Sequence, residues 1–226
     1  RPALIMPKPA IVLALSLIAA ATVSSSAMVS AVAAQEHPVG NTRIVPPQAP
    51  ALIEMLKAGG YVIFFRHGTT PDYAEPSVTD FADCDRQRNL NPLGRAQAQS
   101  IGEAFRELGL KVDEVAASPY CRCMDTARIA FGRVEPARDV GDGGDRAIMR
   151  TRFSTAPKPG FNNVIVGHGS AGGLIGDEFL REAEAVVLKP LGDGKFEPIA
   201  RVRTEGWTQM LPRNRLPPPN APRAAQ

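Results

Sequence analysis

The chain has 226 residues, 44% of them hydrophobic, which is enough to bury the core of one globular domain. Its 26 Lys and Arg residues nearly balance its 23 Asp and Glu residues, so the net charge at pH 7 is only +3. This balance argues against a protein that binds nucleic acid through overall positive charge. Any strongly electropositive site has to be built from a few converging side chains.

The first residues have the layout of a secretory signal peptide. Lys8 precedes an apolar run from Ile11 to Val23, and the small residues Ala31-Val32-Ala33-Ala34 offer side chains that signal peptidase accepts. The apolar run is short for a membrane-spanning helix, which needs roughly 20 residues. We therefore predict that residues 1–34 are removed, that no stable membrane span remains, and that the mature protein is periplasmic or secreted. An uncleaved membrane anchor is the alternative.

The first predicted strand follows a short helix. After a Pro-rich and polar lead-in over residues 35–50, the pattern predicts a helix over 51–58 that ends at Gly59-Gly60. The continuous apolar run Tyr61-Val62-Ile63-Phe64-Phe65 is typical of a strand buried on both faces of a parallel sheet. The polar segment Arg66-His67-Gly68-Thr69-Thr70 comes directly after it.

Helices and strands continue to alternate along the chain. After a loop over 71–89, the pattern predicts a helix from Asn91-Pro92 to Gly109, a strand over 112–117, a helix from Ser118-Pro119 to Ala130, and a third strand over 163–166. This alternation predicts an α/β fold, a three-layer sandwich with a mainly parallel central sheet and helices on both faces.

The C-terminal part is predicted to end in a hairpin and a tail. Residues 172–181 can form another helix, and two strand-like segments, 185–188 and 198–202, are joined by a turn at Gly192-Asp193-Gly194. From Leu211 the composition shifts to Pro, Arg and Asn, which predicts a disordered tail over 211–226. The domain itself is predicted to span 51–210.

Three cysteines in an exported chain allow at most one internal disulfide. Cys121 and Cys123 are two residues apart on a predicted helix and point to different faces, so they are poor partners. A bond between Cys84 and Cys121 is one prediction. The alternative is that all three are small buried side chains without a bond.

Two of the three histidines directly follow predicted strands, His67 the first and His168 the third, each with a glycine on its C-terminal side. Parallel sheets bind ligands beyond the carboxyl ends of their strands, where backbone amides favour anions. A core histidine satisfied by a backbone partner is the alternative for either one alone. Arg66 and Arg122 favour an anion site, because a guanidinium matches a phosphate with two parallel hydrogen bonds.

Three motifs resemble those of the histidine phosphatase superfamily in the family's order: Arg66-His67-Gly68, Ser118-Pro119-Tyr120-Cys121-Arg122 with Thr126-Ala127 behind it, and Gly167-His168-Gly169. The resemblance covers about residues 60–207, and residues 89–98 resemble the family's helix after the catalytic loop. It implies that His67 attacks phosphorus to give a phosphohistidine while Arg66, Arg122 and His168 hold the three equatorial oxygens. Neither a metal nor another cofactor is expected.

Two more residues of the first motif are candidate substrate-binding residues. Gly68 would let the backbone pass close to the phosphate, and Thr70 would offer its hydroxyl or cap the following turn. The family's usual proton donor is a carboxylate on an insert after the Arg122 helix or just after the second histidine. Here Gly169-Ser170 follows His168 with no adjacent acid, and the segment 133–160 is short and Gly-rich. The candidates left open are Glu135, Asp139, Asp142, Asp145, Glu178 and Glu184.

Together these inferences predict an exported phosphatase that hydrolyses a small phosphomonoester or a phosphorylated envelope component, with residues 71–89 shaping the substrate mouth. The alternative is a phosphate-binding envelope protein of the same fold that has lost turnover, which the missing acid motivates. No nucleic-acid partner is expected.

Overall fold

The structure is a computed structural model that describes residues 49–141, 143–175 and 180–212. Within these ranges a six-stranded mixed sheet forms the centre of the fold. The strands are β1 (Val62–Arg66), β2 (Val112–Ala117), β3 (Glu135–Pro136), β4 (Asn162–Gly167), β5 (Ala185–Gly192) and β6 (Lys195–Val202), in the order β3-β2-β4-β1-β5-β6. The first four strands of that order are parallel to one another, whereas β5 pairs antiparallel with both β1 and β6. The predicted α/β fold with a mainly parallel sheet is confirmed.

Helices cover both faces of this sheet. One face carries α1 (Ala49–Ala58), α2 (Pro92–Glu107), α3 (Cys121–Phe131) and α6 (Thr204–Gln209). The other carries α4 (Arg146–Ser154) and α5 (Gly172–Ile175). Helices α4 and α6 and the short strand β3 were not predicted from the sequence.

Strand β1 shows why the sheet is buried on both sides. Ile63 and Phe65 point into the core under α1, α2, α3 and α6, while Val62 and Phe64 point into the core under α4 and α5. All four side chains are at most 1% exposed. The continuous apolar run therefore marks a central strand, as the sequence predicted.

Several predicted boundaries differ in the structure. The hairpin strands, predicted over 185–188 and 198–202, extend toward the turn and cover Ala185–Gly192 and Lys195–Val202. Helix α1 begins at Ala49, so residues 49–50 belong to the helix and not to the lead-in. Of the helix predicted over 172–181, α5 covers Gly172–Ile175, residues 176–179 lie outside the described residues, and Leu180 and Arg181 are not helical. The Leu180 side chain is buried against the sheet. Its carbonyl oxygen accepts a hydrogen bond from Arg66, so this backbone is held beside the end of β1.

Several predictions fall on residues that the structure does not describe. These are the signal peptide over 1–34, most of the lead-in, and residues 213–226 of the tail. Leu211, which the sequence assigned to the tail, packs against the hydrophobic core. Among the helices of the described ranges, none combines the length and the apolar character needed to cross a bilayer.

A disulfide joins Cys84 to Cys121, with 5.7 Å between their Cα atoms, and this confirms the predicted pair. Cys123 is a buried free thiol. The two cysteines are 37 residues apart in sequence, and the bond closes the loop between them. By restricting the unfolded chain, a loop of this length contributes stability on the order of 3–4 kcal/mol.

Candidate active site

The carboxyl ends of the central strands bring the two histidines together. His67 follows β1 and His168 follows β4, two strands that pair in parallel, so both residues reach the same edge of the sheet. Their ring centroids are 5.5 Å apart, and both side chains are almost completely buried. The strand-end positions predicted from the sequence therefore meet in one place.

The local hydrogen bond of His67 fixes which ring nitrogen can react. Nδ1 lies 2.8 Å from the carbonyl oxygen of Gly68, which can only accept, so Nδ1 carries the proton and donates it. Nε2 is left with its lone pair. This is the tautomer of a histidine that attacks through Nε2.

The surroundings of His67 hold its ring in the neutral form. Burial is the largest cause and lowers the pKa of His67 from 6.5 to about 2, although the hydrogen bond to Gly68 raises it. Electrostatic interactions with Arg122, His168 and Arg66 lower this pKa further, in that order. At neutral pH the imidazole of His67 is therefore uncharged, with a proton on Nδ1 and none on Nε2.

This low pKa makes the fold sensitive to acid. The unfolded chain protonates His67 near pH 6.5 while the folded protein protonates it near 2, so the free energy of unfolding falls as the pH drops below 6.5. We expect His67→Gln, which cannot titrate, to lack this part of the acid-dependent loss. Urea denaturation of both proteins over a pH series measures the difference. Two stability curves with a constant separation at every pH would contradict the prediction.

Arg122 forms the cationic wall next to the histidines. Its side chain is 2% exposed, and its guanidinium stacks over the Tyr120 ring at 4.5 Å. Nη2 lies 3.3 Å from Nδ1 of His168, and Nη1 lies 2.5 Å from Oε2 of Glu75. Its Nε finds no hydrogen-bond acceptor within the described ranges. A buried guanidinium in this position is suited to an anion.

His168 is oriented by two neighbours. Because Arg122 can only donate, Nδ1 of His168 accepts, and Nε2 then carries the proton and donates to the Ser118 hydroxyl at 2.9 Å. In this arrangement His168 positions Arg122. Its predicted contact with a phosphoryl oxygen stays a prediction.

Arg66 is the last residue of β1, next to His67 in the chain. Its Nη1 donates to the carbonyl oxygen of Leu180 at 2.8 Å, and its Nη2 lies 3.5 Å from Oε1 of Glu182. Its positive charge reaches His67, whose pKa it helps to lower. The structure therefore brings together all four predicted catalytic residues, Arg66, His67, Arg122 and His168.

Gly68 has a packing role that the sequence did not indicate. Its N–H donates to the Thr126 hydroxyl at 3.0 Å, and a Cβ at this position would lie 2.6 Å from the carbonyl oxygen of Gly94. The missing side chain thus lets the loop after β1 press against the first turn of α2. Its predicted close approach to a phosphate stays a prediction.

The Thr70 hydroxyl donates to Oε1 of Glu182 at 2.9 Å, and the Thr70 N–H points to Oε2 of the same carboxylate. This partner differs from both predicted uses of the hydroxyl, the phosphate and the next turn. Thr70 and Arg66 therefore share one carboxylate at the rim of the site.

The acids considered from the sequence serve other purposes. Glu135 is exposed on β3, Asp139 pairs with Arg152, Asp145 caps α4, and Glu184 pairs with Arg201. Asp142 and Glu178 lie outside the described residues. Glu75, whose Oε2 lies 2.5 Å from Nη1 of Arg122, is not among the acids at the positions where the family usually carries its proton donor.

The loop over 71–89 is tied to the start of α3. The Cys84–Cys121 bond is one tie, and the Gln87 side-chain oxygen accepts the Cys121 N–H at 2.9 Å. The Asn89 side chain donates to the carbonyl oxygen of Cys84. These bonds place the loop beside Arg122, which supports the predicted location of the substrate mouth.

Comparison with protein families gives a match over residues 62–141, to the model described as "Histidine phosphatase superfamily (branch 1)". Among solved structures, the chain is similar to the protein histidine phosphatase SixA complexed with tungstate, with a TM-score of 0.50 and 13% sequence identity. That similarity covers 64% of this chain and 97% of the other. It shows a shared fold.

Curated relatives match over a shorter stretch. The serine/threonine-protein phosphatase Pgam5, mitochondrial, of Drosophila virilis is 34% identical over 79 residues, which are 35% of this chain and 25% of that protein. The same protein of Drosophila persimilis is 33% identical over 79 residues, with the same shares. The chain therefore spans about a quarter of the length of these relatives.

Proposed function

Because the chain belongs to the histidine phosphatase superfamily, we propose that it is a phosphatase that hydrolyses a phosphomonoester through a phosphohistidine at His67. One observation carries the proposal. A buried, neutral imidazole with its Nε2 lone pair available lies among the charges of Arg66 and Arg122 and the ring of His168.

The proposed reaction has two steps. Nε2 of His67 attacks phosphorus, the N–P bond forms, and the bond to the leaving oxygen breaks. Water then attacks the phosphohistidine and releases inorganic phosphate. In both steps negative charge spreads over the equatorial oxygens, and Arg66, Arg122 and His168 are the groups proposed to stabilise it.

Export is part of the proposal. The Cys84–Cys121 bond favours an oxidising compartment, and the pattern of residues 1–34 is that of a secretory signal peptide. The proposed substrate is a small phosphomonoester or a phosphorylated envelope component in the periplasm or outside the cell. Since the relatives include proteins named as protein phosphatases, phosphopeptides belong among the candidate substrates.

The phosphate-binding alternative rested on the missing acid and on the short segment after the Arg122 helix. Glu75, 2.5 Å from Arg122, is a candidate for the missing acid. We therefore retain the enzyme as the one proposed function.

A substrate panel tests the proposal. The purified protein is incubated with p-nitrophenyl phosphate, sugar phosphates, nucleotides, and peptides that carry phosphoserine or phosphohistidine, and released inorganic phosphate is measured. We expect turnover of p-nitrophenyl phosphate and a preference within the rest of the panel. Binding of inorganic phosphate without turnover of any ester would replace the enzyme with the binding protein.

A further inference from the structure

The Glu75 carboxylate lies at the mouth of the pocket with its two oxygens in different settings. Oε1 accepts the backbone N–H of Arg88 at 3.2 Å. Oε2 is shielded from solvent, 2.5 Å from Nη1 of Arg122 and 3.7 Å from Nε of Arg88. The side chain as a whole is 25% exposed, so it reaches inward from the rim. One carboxylate oxygen therefore contacts the guanidinium proposed to hold the phosphoryl group.

The position of Glu75 is held by the loop around it. The backbone N–H of Arg88 donates to the Glu75 side chain, and Nη1 of Arg88 donates to the carbonyl oxygen of Tyr73. Arg88 therefore holds both the side chain of Glu75 and the backbone two residues before it. The side-chain oxygen of the neighbouring Gln87 accepts a hydrogen bond from the backbone N–H of Cys121, at the start of α3. The acid is thus fixed relative to Arg122 by contacts on both sides of it in the loop.

The negative charge of Glu75 lies where the charge of a bound phosphate ester would also lie. A bound phosphate ester and Glu75 would both face the single guanidinium of Arg122, and two anions in contact repel each other. A proton shared by the ester and the carboxyl group would relieve that repulsion. It would lie beside the oxygen atoms of the ester, where the leaving oxygen needs it.

We propose that Glu75 is the proton donor to the leaving oxygen, an inference that rests on the proposed phosphatase function. As His67 Nε2 forms its bond to phosphorus, the bond from phosphorus to the ester oxygen breaks, and the proton of Glu75 passes to that oxygen. The products of this step are a neutral alcohol, the phosphohistidine and the Glu75 carboxylate. In the second step the carboxylate takes a proton from the attacking water as the N–P bond breaks, which restores the acid.

Glu182, the other carboxylate at the rim, is a poorer candidate for this role. Its Oε1 accepts the Thr70 hydroxyl and faces Arg66, and its Oε2 faces the Thr70 N–H. Both of its oxygens hold the loop after β1 through Thr70, whereas Oε2 of Glu75 contacts Arg122.

The dependence of the rate on the leaving group separates a proton donor from a residue that only holds Arg122. An alkyl oxygen is a strong base that needs a proton to leave, whereas p-nitrophenolate leaves without one. We expect Glu75→Gln to lower kcat for the best alkyl phosphate of the panel by about 10²–10⁴-fold. We expect kcat for p-nitrophenyl phosphate to change only a few-fold. Glu75→Asp, which keeps the carboxyl group, should recover part of the loss.

Glu103→Gln is the matched control, since it makes the same substitution at an exposed side chain of α2, outside the loop over 71–89. Its kinetics should follow the wild type on both esters, and thermal melting checks that all variants are folded. Equal losses on both esters in Glu75→Gln, or no loss on either, would overturn the assignment and leave the phosphatase intact. A wild type that hydrolyses aryl esters and no alkyl ester would also overturn it. A wild type that hydrolyses neither would overturn the proposed function itself.

Discussion

Replacing His67 with alanine is expected to abolish hydrolysis of every phosphate ester, whatever the leaving group. The reason is that His67 would form the covalent bond, so no other group in the pocket can supply the same step. Transfer of labelled phosphate from substrate to protein should disappear together with turnover. Steady-state phosphate release and retention of label on the protein after alkaline denaturation measure the two effects.

The single tryptophan provides the control for this variant. Trp207 is fully buried between Phe65 and Phe105, with ring centroids 5.9 and 4.9 Å away, so its fluorescence reports whether the core is intact. His67→Ala should keep the native spectrum while losing activity. If His67→Ala retains the labelled intermediate and His168→Ala loses it, the nucleophile has been assigned to the wrong histidine.

Arg122→Ala is expected to slow turnover without preventing formation of the phosphoenzyme. It removes one cationic donor from the developing charge, a loss on the order of 10²–10³ in rate by comparison with deletion of a single oxyanion donor. The change also releases the contacts of Arg122 with His168 and Glu75. His168→Ala should behave similarly, because His168 holds Arg122 in place.

Arg128→Ala is the matched control for this prediction. Arg128 lies on the same helix but is 57% exposed and pairs with Asp125. We expect its turnover to stay near the wild-type value. Steady-state kcat and single-turnover labelling of both variants give the comparison. Equal activity in the two variants, or complete loss of labelling in Arg122→Ala, would contradict the assigned role.

The fold was predictable wherever a segment carries its own periodicity. The apolar run of β1 and the hairpin around Asp193 need no distant partner to be recognised. Helix α6 differs, because it has only six residues and depends on burial of Trp207 against Phe65 and Phe105. Helix α4 buries only two large apolar side chains, Met149 and Phe153, so its pattern is weak.

The site was predictable in part for a similar reason. His67 and His168 follow strands that are adjacent and parallel, so topology alone brings them together. The contacts of Thr70 with Glu182 join residues 112 apart in sequence. The position of Glu75 depends on a loop without periodicity, held by the contacts of Arg88 and Gln87. Neither contact leaves a local pattern in the sequence.

The central claim is that His67 carries the phosphoryl group, and mass spectrometry of the trapped intermediate tests it most directly. The protein is mixed with substrate, denatured in alkali to preserve phosphohistidine, reduced to open the Cys84–Cys121 bond, and digested with trypsin. We predict added phosphate on the peptide 67–86, whose only histidine is His67. Phosphate on the peptide 153–181, whose only histidine is His168, or turnover by the wild type without any phosphorylated histidine would contradict this account.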